Sequence, residues 1–337
     1  MLVYAARRLL ALPVLLIGIS AVTFLLLHLI PGNPAALYYG GQAVSGSTLA
    51  ALDRQWGLDR PLPIQYLYYL WGLLHGDLGV SFRTGGPVVH QLLRRFPVTL
   101  ELTLAGTLLA ILIGIPIGII AANRQGKAAD HVIRAVTLVL LGVPSFWLGL
   151  VLLFLFNAQL HWLTGGDGQL SFGLHSPPRI TGMLVLDALL SGRMGTFWNA
   201  LHHLIGPAIT VALGLIATVV RMLRSSLLEV SGQDYLRTAR AKGLPQRSVL
   251  YKHALRNALI PTLTVVGVQF GYLLGGNVLV ESVFAWPGLG LYLIQSVQNL
   301  DYPAVLGATL LFALLFAVVN LITDLLFAAI DPRIRYA

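Results

Sequence analysis

Six separate stretches of this chain are apolar over the roughly 20 residues that an α-helix needs to cross a hydrocarbon core about 30 Å thick. They cover approximately 9–30, 99–122, 135–157, 204–223, 259–283 and 304–328. In lipid every backbone N–H and C=O must be satisfied within the protein, so segments of this kind enter the bilayer as helices. With 56% hydrophobic and 10% charged residues and a mean hydropathy of +0.78, the chain has too few charges to cover a water-soluble surface. The expected fold class is an all-α integral membrane protein with six transmembrane helices. The 35 Gly and 17 Pro fit that setting, because neighbouring helices re-satisfy the backbone groups that these residues free. The first stretch follows Arg7-Arg8, but its run is too long for the hydrophobic region of a cleaved signal and no A-x-A site follows. It reads as a retained helix.

Six spans put both termini on one side. With the N-terminus inside, the inner segments hold 15 of the 22 Lys and Arg and the outer segments hold 7, which places both termini in the cytoplasm by the positive-inside rule. The net charge of +9 is thus a topology signal, and no nucleic-acid partner is expected. Cysteine is absent, so disulfides and thiolate chemistry are excluded.

The two long outer loops, 31–98 and 158–203, carry structure of their own. Residues 48–57 read as a short helix ended by Gly57, residues 61–74 as an aromatic-rich segment with Trp71 at headgroup depth, and residues 87–96 as an amphipathic segment lying along the interface.

Catalytic signatures are missing: the sequence contains no H-E-x-x-H, G-x-S-x-G, C-x-x-C or G-x-x-x-x-G-K-[ST]. His202-His203 is the one histidine pair and reads as an outer or interfacial pair rather than a metal site. An ion-coupled carrier would keep carboxylates near mid-membrane, whereas Glu101, Glu281 and Asp324 all lie near span ends. Gly267, Gly271 and Gly275 share one face of the fifth span, as Gly114 and Gly118 do on the second. Small residues at this spacing serve close helix packing or line a solute pathway. Gln269 and Asn277 require a protein or water environment within the same span. Pro116, Pro144 and Pro207 are expected to kink or interrupt their helices.

The inner loop at about 224–258 is the most basic part of the chain, with 8 Lys and Arg over 221–258. Asp234 reads as an N-cap, Tyr235–Lys242 as a short helix, Gly243 as the residue just past its end, and Gln246–Asn257 as a second helix. Arg237 and Arg240 share a face, while Ala239 and Ala241 keep the helix slim. Two uses fit: attraction to anionic headgroups, or docking into a cleft on a cytoplasmic partner.

At this loop a family resemblance enters. YLRTARAKGL followed by HALRNALIP resembles the cytoplasmic loop of type-1 ABC-importer permeases, in particular the B-type permease subunit of dipeptide, oligopeptide, glutathione and nickel importers. The stretches AARRLL, HLIPGNP (28–34), GLDRPLPIQY (57–66), GDLGVSF (76–82), TLELTL (99–104), GVPSFW (142–147), RSSLLEV (224–230), ESVFAWPGLG (281–290), DYP (301–303) and DPRIR (331–335) fit the same subfamily, in order along the chain. Two departures stand out. Arg237-Thr238-Ala239, then Arg240-Ala241-Lys242 and Gly243, replace the general E-A-A-x-x-x-G pattern, with Arg256 where its later Pro would fall. Asn33 replaces a common Asp.

The resemblance implies the type-1 importer permease fold, divided into 1–97 (first span and long outer loop), 98–328 (transmembrane core) and a 329–337 tail. It implies no cofactor in this chain, since ATP and Mg would sit on two partner ATPase subunits. The other partners would be a homologous second permease and an extracytoplasmic solute-binding protein, all at the bacterial inner membrane. Residues Asp234, Tyr235, Arg237, Thr238, Ala239, Arg240, Ala241, Lys242 and Gly243 would form the ATPase-coupling element. The 46-residue second outer loop favours dipeptide or glutathione members over nickel-chelate members.

Overall fold

The computed structural model describes residues 2–32, 34–38, 45–164 and 166–330. Asn33 and the DPRIR segment lie outside the described residues, as does the 329–337 tail beyond its first two positions. Among the described residues the architecture is helical, and an isolated antiparallel bridge joins Val80 to Pro87. Five helices are long and apolar enough to cross a membrane, and a sixth span is supplied by a bent helix pair.

Helix α1 (Leu2–Leu29) is the first span. The following loop folds into α2 (Pro34–Tyr38), α3 (Gly46–Trp56) and α4 (Leu62–Leu74). Helix α3 ends as its sequence predicts. Gly57 adopts the left-handed conformation at φ +71°, and its amide returns to the Arg54 carbonyl. Segment 87–96 does not lie apart along an interface: it forms the first turns of α5 (Val88–Asn123), continuous with the second span. At 1.5 Å per residue these 36 residues reach about 54 Å, well beyond a hydrocarbon core. Pro116 and Pro207 sit inside unbroken helices, contrary to the expected interruptions.

Pro144 does interrupt its helix. The third span divides into α6 (Ala128–Gly142) and α7 (Ser145–Leu152), which diverge by 103°. Proline disfavours the helical region for the residue before it, and Val143 is accordingly extended at φ −94°, ψ 129°. Helix α7 then widens into π-helical turns over Leu153–Gln159. After α8 (Leu184–Leu190) comes α9 (Met194–Ser231), which carries the fourth span. The basic loop holds α10 (Asp234–Ala241). Gln233, not Asp234, occupies the N-cap, and Asp234 is the first helical residue. The second predicted helix is not separate: α11 (Gln246–Ser248) passes through π turns at Val249–Ala254 straight into α12 (Leu255–Gly276), the fifth span. That span stops at Asn277 and restarts as α13 (Val278–Val283). Helices α14 (Leu289–Gln298) and α15 (Tyr302–Ile330) complete the chain.

Helix α5 packs along α9, and α12 packs along both α9 and α15. Without a hydrophobic effect between helices in lipid, close van der Waals approach holds such contacts. Glycine makes it possible. A Cβ on Gly114 would stand 2.8 Å from Val219 Cγ1, and one on Gly267 would stand 2.6 Å from Thr323 Cγ2.

The buried acids serve the loops. Glu101 accepts from the amides of Leu184 (3.1 Å) and Val185 (2.7 Å) at the start of α8, and from Gln169 Nε2 (3.2 Å). Asp301 binds Ser81 Oγ and the amide of Phe82 (2.9 Å). Asp187 accepts from the Thr181 amide and hydroxyl (both 2.7 Å) and from the Gly182 amide (3.0 Å). Burial pushes the Asp187 carboxyl up, but these hydrogen bonds more than offset it and hold the group below the ordinary carboxylate range.

The tightest of these knots surrounds Glu281, which is fully buried. Its carboxylate accepts from Thr99 Oγ1 (2.7 Å), the Gly290 amide (2.7 Å) and the Leu291 amide (3.1 Å), so it caps the first turn of α14. Thr99 Oγ1 in turn accepts from the Leu289 amide at 2.8 Å, and Trp286 Nε1 donates to the Val98 carbonyl at 3.1 Å. A Cβ on Gly290 would fall 2.5 Å from Val278 Cα, so the backbones meet only because glycine stands there.

Candidate functional site

Two features combine polar or charged side chains with open space: a cleft among the spans and the helix of the basic loop. The first is a cleft of about 380 Å³ between the end of α6, the start of α7, α9 and α12. Its polar lining is Ser145, Thr210, Thr218, Gln269, Tyr272 and Asn277, set among leucines and valines, with Gly214 between the two threonines on α9. The threonine hydroxyls donate to carbonyls of their own helix, Gly206 (3.0 Å) and Gly214 (3.2 Å). Asn277 Nδ2 donates to Thr103 Oγ1 at 3.3 Å. Among the described residues the lining includes no carboxylate, histidine, lysine or arginine. Such a surface offers neutral hydrogen-bonding groups to a polar solute without a fixed charge to trap it.

The structure separates residues that the sequence grouped. Gln269 and Asn277 face this cleft, whereas Gly267, Gly271 and Gly275 turn toward α15. Their Cβ positions would meet Thr323, Val319 and Phe312 respectively. The glycine face is a helix contact within this chain.

The second feature is α10. Leu236 and Ala239 are buried against Ile119 of α5, Leu223 and Leu227 of α9, and Val249. Tyr235 Oη accepts from Asn257 Nδ2 at 2.7 Å. These contacts pin the helix, while Asp234, Arg237, Thr238, Arg240, Ala241 and Lys242 are exposed. Ala239 is thus an anchor, and only Ala241 leaves room on the open surface. Arg237 and Asp234 form an ion pair at 3.8 Å, too exposed to contribute much. Gly243 has φ +75° and turns the chain back, with its amide donating to the Arg240 carbonyl at 2.9 Å and that of Leu244 to Ala239 at 3.3 Å. Beside Arg240 a cleft of about 740 Å³ opens toward Arg247 and Tyr251.

One structural pair escaped the sequence reading. Asp130, at the start of α6, receives both Arg224 Nε and Nη2 of α9 at 2.7 Å, and the Gly126 amide at 3.0 Å. This bidentate contact ties the α5–α6 turn to the helix that leads into α10. The two residues are 94 positions apart, and charges at the edges of apolar runs otherwise read as topology signals. His202 and His203 bond separately, to the Trp162 carbonyl (2.8 Å) and the Asn199 carbonyl (2.8 Å).

A bundle of membrane-spanning helices with a neutral polar cleft and a pinned basic helix at one end defines a membrane transport component. Comparison with known proteins gives the family. Residues 114–336 match the binding-protein-dependent transport system inner membrane component family, and residues 1–103 match the N-terminal domain of the same systems. The chain belongs to this family: it is a permease of an ABC-type binding-protein-dependent importer, resident in the inner membrane. It is 47% identical to a probable D,D-dipeptide transport system permease protein of Escherichia coli K12, over 94% of this chain and 93% of the relative. It is 43% identical to the dipeptide transport system permease protein of the same strain, over 100% and 99%. It is 38% identical to a glutathione transport system permease protein of Salmonella choleraesuis, over the full length of both.

Proposed function

We propose that this chain forms half of the translocation pore of an ATP-driven importer for dipeptides or other short peptides, glutathione-like ones included. The observation that carries this reading is the full-length similarity to relatives named for dipeptide, D,D-dipeptide and glutathione transport. The second half of the pore is a homologous permease, and an extracytoplasmic binding protein delivers the substrate. ATP and Mg act on two ATPase subunits, which engage Asp234–Gly243. The neutral lining of the cleft supports this division of labour, since energy supplied from outside the pore removes the need for a proton or sodium relay. Nickel-chelate transport within the same family is the alternative substrate class, and an ion-coupled carrier is the alternative mechanism.

The test is uptake of a labelled dipeptide by cells that carry the whole transport system with or without this chain. Uptake is expected to fall to background without it and to require the ATPase subunits. Uptake that is lost with an uncoupler yet persists without any ATPase would establish a carrier instead.

In this reading both termini lie in the cytoplasm. The chain has no cysteine, so single cysteines report cleanly. Asp167 and Gln233 are both exposed. An impermeant thiol reagent added outside intact cells is expected to label Asp167→Cys and to spare Gln233→Cys. The reverse pattern would invert the topology.

A further inference from the structure

At the end of the α1–α15 pair remote from α10, a cleft of about 330 Å³ is enclosed by α1, α3, α4, the 78–82 loop and α15. Its contents are unusual for a membrane helix pair. Among the described residues, Arg54 and Arg60 line it and no carboxylate does; Asp53 and Asp59, their sequence neighbours, are not among the lining residues. Arg60 lies over the Tyr68 ring, with Cζ 4.5 Å from the centroid, which leaves its N–H edge for another partner.

His28 lines the cleft as well. Its Nδ1 faces the Phe24 carbonyl at 2.9 Å and its Nε2 faces Gln65 Oε1 at 3.2 Å. Gln65 cannot be turned around, because its Nε2 already donates to the carbonyls of Leu58 (3.2 Å) and Arg60 (2.7 Å). Both ring nitrogens therefore meet acceptors.

The opposite end of the cleft is apolar. Phe24 and Leu306 form a floor one helical turn deeper than His28 and Tyr302. The candidate spans Leu10–Leu29 and Tyr302–Leu325 end or begin here, so the cleft lies at the bilayer boundary. Beside it, α4 exposes Leu67, Tyr68, Trp71 and Leu74, an aromatic-rich face of the kind that sits at headgroup depth.

We propose that this cleft binds the phosphate-bearing headgroup of an anionic bilayer phospholipid. The arginine forks would hold the phosphodiester, and the lipid's apolar portion would rest on Phe24 and Leu306. Arginine matches phosphate with paired donors, and a cationic rim over an apolar floor fits an amphiphile better than a free anion. The walls come from both family segments: α1, α3 and α4 lie in residues 1–103, and α15 lies in 114–336. A lipid held there would join the N-terminal segment to the core.

The experiment is native mass spectrometry of the full-length chain, purified with its partner subunits in detergent. Phosphatidylglycerol, phosphatidylcholine and inorganic phosphate are each added alone, and then phosphate is added against bound phosphatidylglycerol. One tightly retained phosphatidylglycerol per chain is expected, resistant to phosphate and stronger than phosphatidylcholine. Arg54→Gln and Arg60→Gln should each weaken retention about tenfold, the factor that one charge-assisted hydrogen bond is worth. Lys127→Gln, exposed on the α10 side, should leave retention unchanged. Arg54→Lys and Arg60→Lys, which keep the charge but not the fork, should weaken retention less, with an unaltered lipid-free unfolding midpoint, so a folding defect in a glutamine variant cannot hide the result. Unchanged retention in all four cleft variants would overturn the proposal. So would inorganic phosphate that displaces the lipid or binds where no lipid is retained, which would define a small-anion site.

Discussion

Glu281→Leu is expected to destabilise the purified permease by about 3–5 kcal/mol, since each buried donor left without a partner costs about 1–3 kcal/mol. The loss removes the acceptor for the Gly290 and Leu291 amides and for the Thr99 hydroxyl. The Gly290 amide and the Thr99 hydroxyl are in buried bonds and the Leu291 amide in a partly buried one. Glu281→Gln should be far milder. Its carbonyl oxygen can still accept from both amides, and its NH₂ can donate to Thr99 Oγ1 once that hydroxyl turns. Thermal unfolding midpoints and the monodisperse fraction after extraction measure both effects. A leucine variant that melts with the wild type would show that this knot adds nothing to the fold.

The second large effect concerns α10 and follows from the proposed coupling role. Arg240→Glu should insert in the membrane normally, yet fail to retain the ATPase subunits on purification and lose hydrolysis stimulated by loaded binding protein. The side chain is exposed on a helix anchored from behind by Leu236 and Ala239. Charge reversal therefore changes the docking face and not the packing. Gly243→Val should give the same phenotype by another route. Nothing stands within 4 Å of the added Cβ, so the cost is conformational: a β-branched residue at φ +75° is strained by on the order of 1–3 kcal/mol. A headgroup-binding role alone would make Arg240→Glu weak, at about 1 kcal/mol. Wild-type ATPase recovery and stimulation in both variants would remove α10 from the coupling path.

The spans were legible because lipid makes the rule simple: about 20 apolar residues, and the backbone follows. The ends of α3 and α10 were equally legible, since Gly57 and Gly243 mark left-handed positions that few residues fill. Three features were not. The continuity of 87–96 with α5 depends on packing, with Val88 and Leu92 buried against Leu289, Tyr292 and Ala304, and no local pattern encodes that. The merging of Gln246–Asn257 into α12 runs through π turns that have no propensity signal. The acids at span ends have partners far away in sequence. Glu281 stands in ESVFAWPGLG and Thr99 in TLELTL, two stretches that marked the family without revealing that one closes on the other. For the candidate site, the sequence left packing and pathway open for the α12 glycines, and only the position of α15 separates them from Gln269 and Asn277.

The staple between Glu101 and α8 has a consequence for how the chain is made. Its partner amides lie 83 and 84 residues downstream. At a synthesis rate of about 5–20 residues per second, Glu101 enters the membrane roughly 4–17 s before its acceptors can be filled. Over that interval water must solvate the carboxylate. Its place close to the span's edge, two residues after the apolar run begins at 99, is therefore a requirement of biosynthesis as well as of the finished fold: the same acid one or two turns deeper would have to wait in hydrocarbon.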